Sequence, residues 1–408
     1  MFDGSGHIAV TFGLTFLPIV FVAGLALDYG DISRERSKLQ ETANSAAMIA
    51  VKELEKPGYS ESDLSDEIAD VVASVFDVET GAATGAALDP VANIVTVDVS
   101  KAYSPSFLQL MRPGSFTMNI TARAAYEEVA GTRSCVMALS SLGKGLFSFG
   151  GSANIDAKNC AIHVNSMALD SVDLRNGAVR SKENCFVGGV RSASWAIEPQ
   201  PSEACRHRPD PFSNFATPLA GSDCDYAGYK IRGDHSVSLK PGIYCGGLDI
   251  ASETEVELEP GLYIIKDGSF KTSGSVHLHG EHITFYFVGN NVALQFSRDT
   301  DFHLTAMDTG PLAGFVVFFD RNAASDFTSA FSAGAVTYFE GLMYFGYHDL
   351  DINLDGDVNS RSPYSALVAN RIGLNGTGTI NFMLDPEATK LPIPEELGSK
   401  KIQARLVD

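Results

Sequence analysis

The sequence has few basic residues and lacks the common motifs of soluble enzymes. Its 408 residues include 30 Lys and Arg against 50 Asp and Glu, so the formal net charge is −20. A field of that sign repels phosphate backbones, and we therefore predict no nucleic-acid partner. No Cys-x-x-Cys pair, phosphate-binding glycine loop or Gly-x-Ser-x-Gly elbow occurs. We expect no catalytic residue, no cofactor and no metal, and hence a protein that is not an enzyme.

Apolar residues are plentiful, at 45% of the chain, and they predict a membrane anchor near the N-terminus. Residues 8–27 form a run of twenty residues without a charge. A helix rises about 1.5 Å per residue, so this run is long enough to cross a hydrocarbon layer of about 30 Å. The alternative is a cleaved signal peptide with small residues at Gly24 and Ala26. The absence of a preceding Lys or Arg and the length of the run favour the anchor.

Two observations disagree about which side of the membrane the rest of the chain occupies. Arg34, Arg36 and Lys38 follow the apolar run, which by charge alone places the C-terminal part in the cytoplasm. Six cysteines in the later chain favour an oxidising compartment instead. Because long domains translocate largely regardless of flanking charge, we predict an extracytoplasmic domain.

Residues 31–130 predict a small α/β unit with the order ααβαβ. The first helix continues the apolar run to about Lys56, and Pro57 and Gly58 end it. Apolar residues then recur at helical spacing in a second helix, and two alternating stretches predict strands around a short helical turn. The predicted elements after the first helix are Ser62–Val78, Asn93–Ala102, Phe107–Met111 and Ser115–Tyr126.

The first fifty residues resemble those of a known family. The strings are Gly6-His-Ile-Ala-Val-Thr-Phe-Gly-Leu, Gly24-Leu-Ala-Leu-Asp-Tyr-Gly and Leu39-Gln-x-x-Ala-x-x-Ala-Ala. They are similar to the N-terminal segment of TadE/TadG-like proteins of the tight adherence (Flp) pilus assembly system. The resemblance implies a single-pass protein of the bacterial inner membrane, with its C-terminal domain in the periplasm and other pilus assembly proteins as partners.

The sequence departs from the pilin-like members of that family at one position. In members that a prepilin peptidase cuts, a Gly is followed at the fifth mature position by Glu. Here Gly6 is followed at that position by Thr11. The TadG-related, unprocessed type therefore fits this chain better.

The later part of the chain repeats with a period near twenty residues. Six cysteines follow one another at separations of 25, 25, 20, 19 and 21 residues, and Pro-Gly-x-Tyr occurs at residues 241–244 and 260–263. One turn of a β-solenoid has about this length. We therefore predict an α+β chain that ends in a large all-β domain, a parallel β-helix. The predicted divisions are 1–30 anchor, 31–130 α/β unit, 131–385 β-helix and 386–408 C-terminal tail.

The spacing of the cysteines also predicts their pairing. Equivalent positions on neighbouring turns stand about 4.8 Å apart, a separation that disulfide geometry permits. Six cysteines allow fifteen connectivities, and the repeat favours neighbours. The expected pairs are Cys135 with Cys160, Cys185 with Cys205, and Cys224 with Cys245. The alternative is a set of buried, unpaired thiols.

Two clusters resemble metal sites. His277, His279, Glu281 and His282 place two imidazoles on one face of a strand, and Asp351–Asp357 has oxygen ligands at alternate positions of a calcium-like loop. Both patterns are also typical of solvent-facing strands, and Ser362 stands where a calcium loop needs Glu. We favour ordinary strands at both places.

A structural component of a pilus assembly apparatus is thus the leading hypothesis. A membrane-tethered carbohydrate-active β-helix enzyme is the first rival, because such folds can carry paired carboxylates. Asp301, Asp308 and Asp320 are scattered over predicted turns and form no compact group. A glycan-binding adhesin is the second rival.

Overall fold

The computed structural model describes residues 5–54, 70, 72–74, 82–111, 113–193, 195–202, 205, 207–233, 235–324, 326–334 and 336–407. It divides into two compact units. Unit 1 comprises Met1–Ala130 together with Lys400–Asp408, and unit 2 comprises Gly131–Ser399.

Unit 1 begins with one helix of 49 residues, α1 (Ser5–Glu53). Its first part contains the uncharged run, residues 8–27, and Pro18 lies inside it. Its second part carries a stripe of buried apolar residues, most of them alanine, on the face that packs against the sheet: Leu39, Ala43, Ala46, Ala47, Ala50 and Val51. The prediction that one helix runs through both parts is confirmed. The predicted second helix, Ser62–Val78, falls almost wholly outside the described residues; Asp70, Val72, Ala73 and Ser74 are described and helical.

The sheet of unit 1 has four antiparallel strands in the order β1-β2-β3-β27. Alternate residues of β2 and β3 are buried and face the stripe of α1, which is why the alternating pattern was readable in the sequence. The strands and the short helix between them are β1 (Ala82–Asp89), β2 (Ile94–Tyr103), α2 (Leu108–Met111), β3 (Phe116–Ala130) and β27 (Lys400–Val407).

Strands β1 and β27 were absent from the predicted ααβαβ order. β1 reads Ala-Ala-Thr-Gly-Ala-Ala-Leu-Asp, which has little alternation, and its extended state comes from pairing with β2. β27 pairs with β3 along its whole length, from Lys400 opposite Ala130 to Val407 opposite Arg123. Residues 386–408 are therefore not a separate tail. The stretch up to Ser399 belongs to unit 2, and a 3₁₀ helix there, Glu395–Leu397, has Leu397 fully buried.

Unit 2 is a β-solenoid of about 11 turns, so the predicted fold class is confirmed. Strands of successive turns stack in parallel, and the strand pair β24–β26 is antiparallel. The strands are β4 (Ser134–Ala138), β5 (Phe147–Phe149), β6 (Ser152–Val164), β7 (Val172–Leu174), β8 (Val179–Phe186), β9 (Val190–Ser192), β10 (Ile197–Glu198), β11 (Tyr226–Ile231), β12 (His235–Leu239), β13 (Gly242–Ala251), β14 (Thr254–Leu258), β15 (Gly261–Lys266), β16 (Phe270–Ser273), β17 (Val276–Val288), β18 (Leu294–Gln295), β19 (Thr300–Ala306), β20 (Phe315–Phe319), β21 (Ser329–Gly334), β22 (Tyr338–Tyr344), β23 (Asp349–Asp355), β24 (Tyr364–Ala369), β25 (Arg371–Asn381) and β26 (Met383–Leu384).

The turns of unit 2 do not stack in chain order. β24 pairs with β4, and β25 pairs with β5 and β6, so the first segment of unit 2 stacks beyond the last turns of the solenoid. β9 and β10 then end the stack on that side, whereas β11 and β12 end it on the other.

A connecting segment, residues 199–225, returns along the solenoid from one end to the other. Near its start, Arg208 donates a hydrogen bond to the Ser134 hydroxyl at 3.0 Å. Near its end, Lys266 donates to the carbonyl of Gly221 at 2.9 Å. In between, the fully buried ring of Phe212 lies 5.2 Å from the ring of Phe315, measured between centroids. The segment thus adds its own side chains to the core that the turns build.

Candidate functional site

α1 is, within the described residues, the helix long and apolar enough to cross a membrane. Only 12% of its most apolar window is buried, which distinguishes it from the core helix of a soluble domain. Large apolar side chains point outward on several sides of it: Phe12, Leu14, Phe16, Ile19, Val20, Val22 and Leu27. Exposure of this kind is costly in water and favourable in hydrocarbon.

The end of the apolar run is locked to the turn before α2. The Asp28 side chain is buried, and its carboxylate accepts hydrogen bonds from the backbone N–H groups of Ser106, Phe107 and Leu108 at 3.0, 2.9 and 2.6 Å. These are the unpaired donors at the start of a helix, so Asp28 caps α2 from another element. The ring of Phe107 lies where a side chain at Gly24 would stand.

Beyond this contact, a second link ties α1 to the sheet. Lys101 donates to the Glu35 carboxylate at 2.5 Å. That hydrogen bond lowers the pKa of Glu35 below its usual value, and the charge of Lys101 acts in the same direction. Glu35 and Lys101 thus hold the helix to β2 just beyond the apolar run.

Unit 2 contains the three disulfides that the spacing predicts: Cys135–Cys160, Cys185–Cys205 and Cys224–Cys245. The described residues include no free cysteine. The structural reason for this pairing differs in part from the predicted one, which was that cysteines occupy equivalent positions on neighbouring turns. Cys135, Cys160 and Cys185 lie on β4, β6 and β8, which stack as successive turns, but Cys205 and Cys224 lie in the connecting segment. Two of the disulfides therefore fasten the ends of that segment to the solenoid.

The predicted histidine cluster lies on an exposed face of β14, β17 and β19, beside a shallow groove lined by Ser236, Ser238, Glu255 and Glu257. His277 and His279 point outward, as their strand alternation predicts. Each pairs with a different carboxylate: His277 Nδ1 lies 3.6 Å from Asp301, and His279 Nδ1 lies 3.0 Å from Glu257.

A bend within β17 separates His282 from His277 and His279. His282 has a positive φ of 56°, and its Nδ1 lies 3.7 Å from Asp308. Within the part of the chain that the structure describes, no three His, Cys, Asp or Glu side chains converge on one point as metal ligands do. The face instead has three separate His–carboxylate pairs across neighbouring turns.

Of the aspartates in the calcium-like stretch, Asp351 and Asp355 lie on a regular strand, β23, and Asp357 follows it. Leu350, Ile352 and Leu354 are buried, so the intervening polar residues point outward. Arg371 on the next turn contacts Asp351 and also Asp349 at the start of the strand: its Nε lies 3.1 Å from Asp349, and its Nη1 lies 2.9 Å from Asp351. These two carboxylates thus have an ion-pair partner inside the protein.

The scattered aspartates also occupy separate places. Asp301 and Asp308 pair with histidines, as described above, whereas Asp320 is buried and accepts a hydrogen bond from the Tyr286 hydroxyl at 2.6 Å. Burial, together with that bond, raises the pKa of Tyr286. The sequence singled out none of the long-range contacts of Asp28, Arg208 or Tyr286, because no local pattern marks a side chain whose partner lies far along the chain: 80 residues away for Asp28, 74 for Arg208 and 34 for Tyr286.

Comparison with known proteins gives one match. A family model described as putative Flp pilus-assembly TadE/G-like matches residues 6–53. The match covers nearly the whole of α1, and the resemblance recognised from the N-terminal motifs is confirmed for this segment. No curated protein and no solved structure matches the chain.

Proposed function

We propose that this chain is a membrane-anchored structural component of a bacterial Flp pilus assembly apparatus, acting through protein contacts in the periplasm and not through catalysis. The observation that carries the proposal is the TadE/G-like segment, residues 6–53, on a helix long and apolar enough to cross a bilayer. The partners would be other proteins of the same apparatus.

The disulfides support a periplasmic location for unit 2. Structural disulfides persist in oxidising compartments such as the bacterial periplasm and are rare in the cytosol. Unit 2 has three, and two of them hold the connecting segment. Arg34, Arg36 and Lys38 favour the opposite orientation, but charge near a span is a weak determinant for a long translocated domain.

The solenoid suits a role in binding. Its exposed columns repeat from turn to turn, so an extended partner could contact equivalent side chains on several turns. One such column contains Glu257, His279 and His303, which stand opposite one another on β14, β17 and β19. Contact with partners along such columns needs no reacting group.

Partner binding can be tested with the full-length chain in cells that make the pilus. A variant with residues 8–27 replaced by an unrelated apolar helix of the same length keeps an anchor but loses the apolar part of the family segment, residues 6–53. We expect the native chain to crosslink to pilus assembly proteins and the variant to remain in the membrane without them. Normal piliation after deletion of the gene would contradict the proposal, and so would release of glycan fragments by the purified protein.

Orientation can be tested by counting thiols. Intact cells are treated with a small alkylating agent, and the protein is then reduced and labelled with a mass-tagged maleimide. A periplasmic unit 2 should gain six tags, because all six cysteines were oxidised. In a strain without periplasmic thiol oxidation, the tags should be lost. Absence of tags in the normal strain would place unit 2 in the cytoplasm.

A further inference from the structure

The contact between α1 and the turn before α2 has a consequence for the membrane. Gly24 and Leu27 both lie inside the predicted span, residues 8–27. The ring of Phe107 occupies the space beside Gly24. Gly24 is three residues before the end of the span, which is about 4.5 Å along the helix axis. If α1 spans the bilayer, the ring of Phe107 therefore lies within the depth of the spanning segment and not beyond its end.

Large side chains with apolar surface are exposed at this level. Leu108 is close to Asp28, because its backbone N–H donates to that carboxylate at 2.6 Å. The exposed fractions are 75% for Leu110 and 75% for Tyr29. Leucine at this exposure is costly in water, whereas Tyr is typical of the boundary between lipid and water.

The polar groups of the turn have hydrogen-bond partners, which lowers the cost of placing the turn at this depth in the membrane. A turn close to lipid cannot leave backbone N–H groups or a carboxylate without partners. Asp28 satisfies three N–H groups of the turn, and these groups satisfy the carboxylate. The buried polar atoms thus pair with one another, and the exposed side chains of the turn include two leucines, Leu108 and Leu110, beside the polar Ser106 and Gln109.

We infer that the turn Pro105–Met111 enters the interfacial layer of the bilayer beside α1 and forms a second membrane contact of unit 1. This inference rests on the proposed membrane anchor. The turn contacts lipid through Leu108 and Leu110, while Phe107 fills the space beside Gly24. The contact fixes the depth and rotation of α1, because the turn lies between β2 and β3 of the sheet that packs on the helix.

Tryptophan fluorescence tests the inference in the full-length protein, since the chain has a single Trp. Trp195 is changed to Phe, and one new Trp is introduced in each variant: L110W at the turn, I19W inside the span and V91W as the control. Val91 is 94% exposed and lies in the turn at the opposite end of β2. Each variant is reconstituted in phosphatidylcholine vesicles with bromine either near the headgroup or near the middle of the acyl chain.

We expect the Trp of L110W to be quenched about twofold more by the shallow bromine than by the deep one, as for a residue at the interface. The Trp of I19W should show the reverse preference, and that of V91W should not be quenched. Equal, negligible quenching for L110W and V91W would overturn the inference while leaving the anchor intact. A blue-shifted but unquenched L110W would also overturn it, because a protein partner would then cover the turn. Absence of quenching in I19W would instead contradict the anchor itself.

Discussion

The two units of this chain obtain their cores in different ways. In unit 1, small residues on α1, among them Ala43, Ala46 and Ala47, bring the helix close to an antiparallel sheet. In unit 2, large rings stack from turn to turn, as in the series Tyr244, Tyr263 and Phe285 with centroids 6.1 and 5.5 Å apart. Unit 2 also has all three disulfides. Unit 1 should therefore be sensitive to added volume, and unit 2 to removed volume and to reduction.

The largest effect is expected from deleting a ring in unit 2. Phe315 is fully buried, with the rings of Phe212, Phe215 and Phe318 at 5.2, 5.3 and 5.1 Å. F315A should lower the free energy of unfolding of unit 2 by about 4 kcal/mol. The reason is that the surrounding side chains cannot all move inward to fill the cavity that the ring leaves. Hydrogen exchange by mass spectrometry measures this loss in unit 2 peptides, while unit 1 peptides should remain unchanged.

The matched control for that variant is F327A, because Phe327 is 48% exposed. Its loss should stay below about 1 kcal/mol. Equal losses in the two variants would show that the rings are not the main source of stability in unit 2.

Loss of a disulfide should have the next largest effect. Replacing Cys135 and Cys160 together by Ala opens a loop of 25 residues and should destabilise unit 2 by about 3 kcal/mol. A reducing agent should lower the unfolding temperature of unit 2 in the native chain, and by a smaller amount in the double variant. The unfolding of unit 1, whose sequence has no cysteine, should not respond to the reducing agent.

A larger side chain in the core of unit 1 tests the other half of the comparison, the sensitivity of unit 1 to added volume. Ala47 is fully buried between α1 and the sheet, so A47L should destabilise unit 1 by about 2 kcal/mol through overpacking. S45L places the same side chain on the exposed side of the helix and should have little effect. Exchange rates of β2 and β3 peptides distinguish the two. If A47L were as stable as S45L, the close approach of helix and sheet would not depend on small residues.

The smallest expected effect is the response of unit 1 to acid. The pKa of Glu35 is lower in the folded state than its usual value of 4.5, because Lys101 stabilises the carboxylate. The stability from this pair is therefore present above pH 4.5 and is lost as the pH falls through the lowered pKa. Both side chains are partly exposed, so the contribution should be below about 1 kcal/mol. Urea unfolding of E35Q and of the native chain should differ at neutral pH and converge in acid; a constant difference would contradict the assignment.

Local pattern explains which parts of the structure could be predicted. The anchor helix depends on length and composition, which a stretch such as residues 8–27 displays by itself. The solenoid turn is visible in the sequence because Tyr244 and Tyr263 follow the same Pro-Gly-x motif on adjacent turns, where their rings stack, although the strand register places Tyr244 opposite Ile265. The disulfide partners were predictable because each pair closes a loop of about one turn, although Cys205 and Cys224 lie in the connecting segment.

The sequence by itself thus determined the apolar span, the period of the solenoid and the neighbouring disulfide pairs. Only the tertiary structure decided that β4 stacks on β24, that β27 completes the sheet of unit 1, and that Asp28 caps the turn before α2. The physical reason is that every open edge of a sheet, parallel or antiparallel, presents unpaired N–H and C=O groups. Which strand pairs with a given edge therefore depends on the path of the whole chain, and no local pattern records it.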